Sequence, residues 1–151
     1  MKDRPEPASE IRSPEDLLRV MEQLVPYNRL LGLRGESVAP GRCVMTIEPR
    51  PELVGDFHRP CLHGGVVASL IDTAGGVAAW SVLPAGEGVS TVDMRVDYLE
   101  PAATQGTLRA EAELVRKGNR VCHVRVAVTQ AGALVAEGRA VYNIHRRKSH
   151  A

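Results

Sequence analysis

Residues 61–84, CLHGGVVASLIDTAGGVAAWSVLP, constrain this chain more than any other stretch. From Leu62 to Leu83 the run is almost wholly apolar, with a single carboxylate, Asp72, at its middle and no further acid until Glu87. About 18 apolar residues in a row can span a bilayer, but a carboxylate at mid-span is costly in hydrocarbon. The paired glycines, Gly64-Gly65 and Gly75-Gly76, and the amphipathic segments downstream fit a helix wrapped by its own domain instead. The expectation is one central helix, apolar on all sides, with a reason to keep one acid inside it.

Downstream the period changes from helical to two. VSTVDMRVDYL sets Val92, Met94, Val96 and Tyr98 on one face and Thr91, Asp93, Arg95 and Asp97 on the other, the pattern of a half-buried strand. GTLRAEAELV repeats it with Leu108, Ala110, Ala112 and Leu114, and RVCHVRVAVTQ with Cys122, Val124, Val126 and Val128; ALVAEGRAVYNI follows more loosely. The links EPAATQ, RKGNR and QAGA are too short for helical crossovers, which predicts antiparallel strands.

Upstream, Ser13 as N-cap, Pro14 at the first helical position and the apolar set Leu17, Leu18, Met21, Leu24 and Val25 predict a short amphipathic helix that Pro26 ends. RCVMTIE alternates Cys43, Met45 and Ile47 as a one-sided strand, and 49–62 reads as loop. The expected organisation is an N-terminal tail and short helix over 1–25, one domain over 26–146, and a basic tail over 147–151.

Composition narrows the partners. With 151 residues, 44% of them hydrophobic, there is material for one real core. Nineteen basic against 18 acidic residues leave a formal charge of +1, so no global field recruits nucleic acid or an anionic membrane. Three scattered cysteines, Cys43, Cys61 and Cys122, cannot form a disulfide framework and suit a reducing compartment. The polar, Pro-rich start MKDRPEPASEIRSPED has no apolar core ahead of a cleavage site, so a cytoplasmic protein is expected.

A sheet with one apolar face around one long apolar helix is an α+β arrangement of the hotdog type. At this point LHGGVVASLIDTAGG resembles the HGG-and-acid signature of PaaI-type hotdog acyl-CoA thioesterases, in which His-Gly-Gly opens the central helix and the acid follows seven residues after the second glycine. STVDMRVDYLEPA is similar to that family's next strand and its Pro-ended turn, and PYNRLLGL matches more weakly, so the resemblance runs from about Pro26 to about His145.

The chemistry of the residues agrees without the resemblance. The first N–H groups of a helix lack intrahelical partners and carry the positive end of its dipole, which suits an oxyanion. Gly64 and Gly65 are expected to leave them uncovered, and Asp72 can act as general base or as nucleophile. From His63 to Asp72 the helix rises about 13.5 Å over about 2.5 turns, so the two lie at different heights on opposite faces. One chain cannot aim both at one carbonyl, whereas two antiparallel helices in a two-fold dimer can. The resemblance likewise implies a site shared across a dimer, often within a homotetramer.

Each candidate has a plainer rival. Asp72 can be a structural acid, His63 a simple helix cap, and the glycines a packing device. Against the family's water-orienting Ser or Thr, Thr91 sets the better register, with Ser90 one residue away on the other face of the sheet. Where many relatives carry Asn before HGG, this chain has VGDFHRPC, so Asp56 or His58 takes that place. The turn VRKGNRV, with Arg116, Lys117, Gly118, Asn119 and Arg120, resembles the family's docking place for CoA phosphates, although basic hairpin tips are commonly just solvated. His58, His63 and Asp72 fit no standard metal spacing, and a Cys61–His63 nucleophilic pair lacks an orienting third group.

The implied function is hydrolysis of an acyl-CoA thioester with no cofactor beyond the CoA of the substrate. A non-catalytic hotdog module that binds acyl-CoA or lipid as a sensor is the competing class, and a hotdog hydratase is a weaker one because its motif differs.

Overall fold

A computed structural model describes residues 13–146. The N-terminal tail before residue 13 and the basic tail 147–151 lie outside the described residues. Helix α1 (Pro14–Gln23) starts as expected: the Ser13 hydroxyl accepts the Asp16 N–H while the Asp16 carboxylate accepts the Ser13 N–H at 2.9 Å. Leu17 and Val20 are its buried residues. Pro26 does more than stop this helix. It opens a second one, α2 (Pro26–Leu31), at the position where a missing N–H costs nothing, and Gly32, with φ of 72°, closes it.

Strand β1 (Leu33–Ala39), which has no clean alternation to announce it, pairs with β2 (Arg42–Ile47) through a bulge between Gly35 and Ser37. In β2, Cys43, Met45 and Ile47 are buried as the alternation predicts. The expected loop 49–62 holds more structure than that: a single turn of 3₁₀ helix at Pro51–Leu53, then β3 (Val54–Asp56) paired with β4 (Cys61–Leu62). Helix α3 (Gly64–Trp80) follows, shorter at both ends than the apolar run that encodes it.

The remaining strands are β5 (Glu87–Tyr98), β6 (Leu108–Lys117), β7 (Val121–Gln130) and β8 (Ala133–Arg146). The six-stranded sheet runs β1-β2-β6-β7-β8-β5, antiparallel at every pairing. Its inner face packs on α3, with Leu70, Ile71, Ala74 and Val77 of the helix against Met45, Leu108, Ala110, Val126 and Val128 of the sheet in one core. This is the hotdog arrangement.

Chain order is not sheet order at one place. β5 and β6 are consecutive in sequence but separated by β7 and β8, so residues 99–107 must cross the end of the sheet. The buried side chain of Gln130 pins that crossing by accepting the Ala103 N–H at 2.7 Å and donating to the carbonyls of Ala103, Gln105 and Gly106. Four bonds to one amide satisfy its donors and acceptor in a place where loose polar atoms would be costly.

β5 also departs from strict alternation. Thr91 stands opposite Tyr142 and Asp93 opposite Val141, so Val92 is an extra residue that bulges out and is 64% exposed. Val92 and Tyr98, both expected inside, are exposed; Met94 and Val96 pack against the core. Among the described residues no helix is long and apolar enough to cross a membrane.

Candidate active site

α3 is not apolar all round. Gly65, Ser69 and Asp72, at i, i+4 and i+7, fall on one face that is not fully buried, whereas Val66, Val67, Leu70, Ile71 and residues 74–79 are buried. Ser69 donates to the Gly65 carbonyl at 2.7 Å and meets the Tyr27 hydroxyl at 3.0 Å. Asp72 is therefore not sealed in the core. It is half-buried at the side of an open groove of about 300 Å³ formed by α3 with α1, α2, β5 and β8.

Within this groove Thr91 donates its hydroxyl to Asp72 Oδ1 at 2.7 Å. The Val92 bulge makes that contact possible. Unbroken alternation would turn Thr91 to the outer face with Asp93 and Arg95, and the one extra residue returns it to the inner face shared with Met94 and Val96. Ser90, opposite Asn143, is on the other face of the sheet at this register and still borders the same groove. Tyr142, opposite Thr91, donates to the main-chain carbonyl of Asp72 at 2.8 Å. Burial first, and then the neighbouring Asp72, push the Tyr142 phenol far above its ordinary pKa, so it stays a protonated donor. No periodicity or motif singles out Tyr142; its placement opposite Thr91 depends on strand pairing.

At the start of α3, His63 is the N-cap, and its Nδ1 accepts the Gly65 N–H at 2.8 Å. The expectation that Gly64 and Gly65 both leave their N–H groups uncovered is thus corrected for Gly65. The Gly64 carbonyl accepts the Tyr98 hydroxyl at 2.9 Å, and the Tyr98 ring lies where a Cβ on Gly64 would meet it at 3.3 Å. A second groove, about 350 Å³, opens here between Gly64, Tyr98 and the crossing segment with Leu99 and Pro101. The two grooves share no lining residue.

Asp56 accepts the backbone N–H groups of His58 at 2.8 Å and Arg59 at 3.2 Å, closing the turn between β3 and β4. Those bonds, from Arg59 first and then His58, hold its carboxyl below the usual range. His58 is exposed beside Phe57, with ring centroids 4.2 Å apart. The contacts of Asp56 and His58 are thus within the loop, and the loop borders His63, whose N–H donates to the Leu53 carbonyl at 2.8 Å.

The basic turn joins β6 to β7, with Arg116, Lys117, Asn119 and Arg120 exposed and the Gly118 N–H donated to the Val121 carbonyl. Lys117 pairs with Cys122, Cys122 with Tyr142, and Tyr142 with Thr91. Three strand spacings, about 14 Å, separate the turn from Thr91 along this row. Gly64 belongs to the opposite end of the sheet, beside Tyr98. Among the described residues no group of three or more His, Cys, Asp or Glu is arranged to hold a metal ion.

Comparison with known proteins bears on this geometry. The model of a family described as the thioesterase superfamily matches residues 57–137. The medium/long-chain acyl-CoA thioesterase YigI of Salmonella typhimurium is 31% identical over 90% of this chain and 99% of its own length. The chain belongs to the thioesterase superfamily. Human acyl-coenzyme A thioesterase 13 is 28% identical over 85% of the chain and 91% of its own length. Among solved structures, a variant of the phenylacetic acid degradation protein PaaI from Thermus thermophilus superposes with a TM-score of 0.71 at 29% identity, covering 79% of this chain and 98% of that one. This member is a thioester hydrolase of the PaaI-type hotdog group.

Proposed function

We propose that the chain hydrolyses acyl-CoA thioesters to the free acid and CoA, with Asp72 as base or nucleophile. The observation that carries this reading is the 2.7 Å bond from Thr91 to Asp72 Oδ1 in an open groove. It orients the carboxylate and leaves Oδ2 for a water or for the thioester itself. Along the base route Oδ2 takes a proton from water, the hydroxide adds to the carbonyl carbon, and the C–S bond breaks as the thiolate leaves and takes up the proton. Along the nucleophile route Oδ2 attacks and expels the thiolate, and water then cleaves the mixed anhydride. Both consume one water and return Asp72 unchanged.

The oxyanion of the tetrahedral state needs preorganised donors, of which one is typically worth about 10² to 10³ in rate. With the Gly65 N–H engaged by His63, the Gly64 N–H is the donor this reading assigns, with His63 lining the site. Gly64 and Asp72 open into different grooves, and eight residues of helix, about 12 Å, separate them. We therefore assign the two to one site only across a homodimer. Edge strand β5, twelve residues long and unpaired on one side among the described residues, is a template for a second copy, and closed two-fold dimers are the commonest assembly. A homotetramer built from two such dimers is the further expectation.

Met21, Val25, Tyr27 and Val89 make the groove beside Asp72 apolar enough for an acyl chain. YigI is named for medium- and long-chain acyl-CoA and PaaI for phenylacetic acid degradation, so alkyl and aryl groups are both candidates here. Arg116, Lys117 and Arg120 are assigned to the CoA phosphates as point charges, with Gly118 and Asn119 shaping the turn; Asp56, His58 and Ser90 are assigned to the substrate's path. No cofactor is invoked.

The test is a panel of acyl-CoAs and acyl-carrier proteins assayed for free thiol release, with binding measured in parallel. Turnover of CoA thioesters is expected; tight binding of several with no turnover by any would establish the sensor alternative.

A further inference from the structure

We propose that Tyr142 is a positioning residue for Asp72, holding from the main chain what Thr91 holds from the side chain. The inference rests on the assignment of Asp72 above. Thr91 and Tyr142 are direct partners in the β5–β8 register, so their side chains stand next to each other on the inner face. One hydroxyl reaches Asp72 Oδ1 at 2.7 Å and the other the Asp72 carbonyl oxygen at 2.8 Å. Together they fix both the turn of α3 that carries the acid and the rotation of its carboxylate.

The helix is shaped to receive this phenol. A Cβ on Gly75 would run into the Tyr142 hydroxyl, and one on Gly76 would touch the ring at 3.5 Å. Gly75 thus does more than permit close packing in general, since it makes room for one ring whose hydroxyl ends on Asp72, whereas a methyl on Gly76 would make only an ordinary contact with that ring. Glycine inside a helix is less stable than alanine, and the one three residues after the acid is accounted for by this seat. Tyr142 is 1% exposed and lies at the floor of the groove that contains Asp72 and Thr91. Gating is not required of it; its ring is clamped between α3 and β8, and the hydroxyl has a fixed target.

A buried tyrosine also needs a partner for its hydroxyl on grounds of stability alone, so the experiment must separate positioning from packing. Tyr142→Phe keeps the ring and removes the hydroxyl. Loss of a fixed angstrom-scale geometry is expected to lower kcat roughly tenfold with KM for acyl-CoA little changed. Gly75→Ala perturbs the same contact from the helix side and should lower both kcat and thermal stability. In the double variant the methyl meets no hydroxyl and only the ring edge, at 3.2 and 3.3 Å, so part of the lost stability should return while kcat stays low. An unchanged kcat in Tyr142→Phe, or recovery of kcat together with stability in the double variant, overturns the proposal. The ¹³C signal of the Asp72 carboxyl gives a readout independent of turnover: it should move in Tyr142→Phe. An unmoved carboxyl signal overturns the positioning role, whereas a moved signal in a chain that turns over no thioester supports the clamp and overturns the hydrolase reading instead.

Discussion

Gly55 lies against His63 so closely that a Cβ on it would sit 2.5 Å from His63 Cα and 3.0 Å from His63 N. The β3–β4 loop and the start of α3 are thus one packed unit, and the backbone of the residue that caps Gly65 lies against a glycine eight residues earlier. Gly55→Ala should displace His63, since the clash is with backbone and has no flexible end to yield. A loss of about 1–3 kcal/mol is expected, read as a lower thermal midpoint. The N-terminus of α3 moves with it, so kcat should fall while the fold persists. A variant with unchanged melting and turnover would show that His63 is free to shift.

Asp72→Ala should lower turnover by about 10²-fold or more and leave a folded protein, because the acid acts in the transition state and contributes little to the core. Thr91→Val is the finer test. It keeps shape and removes the hydroxyl, and a hydrogen bond to a charged group is worth about 1.5–3 kcal/mol, so kcat should fall by about 10-fold or more with circular dichroism unchanged. Full activity in Thr91→Val would reduce the 2.7 Å contact to a surface bond.

Lys117→Ala combined with Arg120→Ala should raise KM for CoA thioesters, and more so at low salt, because exposed charges act through a screened field. The defect should shrink for thioesters that lack the 3′-phosphate ADP portion. Equal losses on both substrate types would move the phosphates elsewhere.

Mixed oligomers test the division of the site between chains. Asp72→Ala in one tagged chain and Gly64→Val in another each give a dimer with two broken sites. If one chain supplies the acid and the other the helix N-terminus, a mixed dimer keeps one intact site, and random mixing should restore about a quarter of wild-type activity. Verified mixed dimers with no activity would place the whole site in one chain. Each variant must dimerise alone, because the side chain introduced at Gly64 would press on Tyr98.

Stability should decline at alkaline pH. Burial pushes the Cys43 thiol up to about 12, and Cys122 and Tyr142 are shifted in the same direction, chiefly by burial. Between the ordinary thiol pKa of 9.0 and about 12, the unfolded chain has released the Cys43 proton and the folded chain has not. The unfolded state therefore binds fewer protons, and unfolding free energy falls as pH rises, by up to about 1.4 kcal/mol per unit from this group. Urea melts at pH 7, 9 and 10 would read it, and a midpoint that does not move would indicate a solvated thiol.

Local patterning was enough to settle the inward residues of β2, β6 and β7 and the cap at Ser13, whereas the start of the central helix at His-Gly-Gly came from the family resemblance, since the apolar run itself begins at Leu62. The first kind is written in a short segment: a period of two, or a side-chain oxygen three residues from an N–H. The candidate acid was legible for the same reason, as one carboxylate with no charged neighbour in the chain. Strand β1 and helix α2 were not legible, because their burial comes from packing on α1 and not from a pattern of their own.

What Asp72 touches was settled by the assembled sheet alone. Strict alternation sent Thr91 outward, and the Val92 bulge, whose register is set by pairing with β8, brought it back to the acid. Tyr142 reaches the same aspartate from 70 residues away, through a pairing of β5 with β8 that chain order conceals, since β6 and β7 intervene. The backbone of His63, whose ring closes the Gly65 N–H, packs against Gly55 of the β3–β4 loop. Side-chain periodicity is a property of short segments, whereas register, bulges and cross-strand neighbours are properties of strands brought together, and the contacts of this site belong to the second kind.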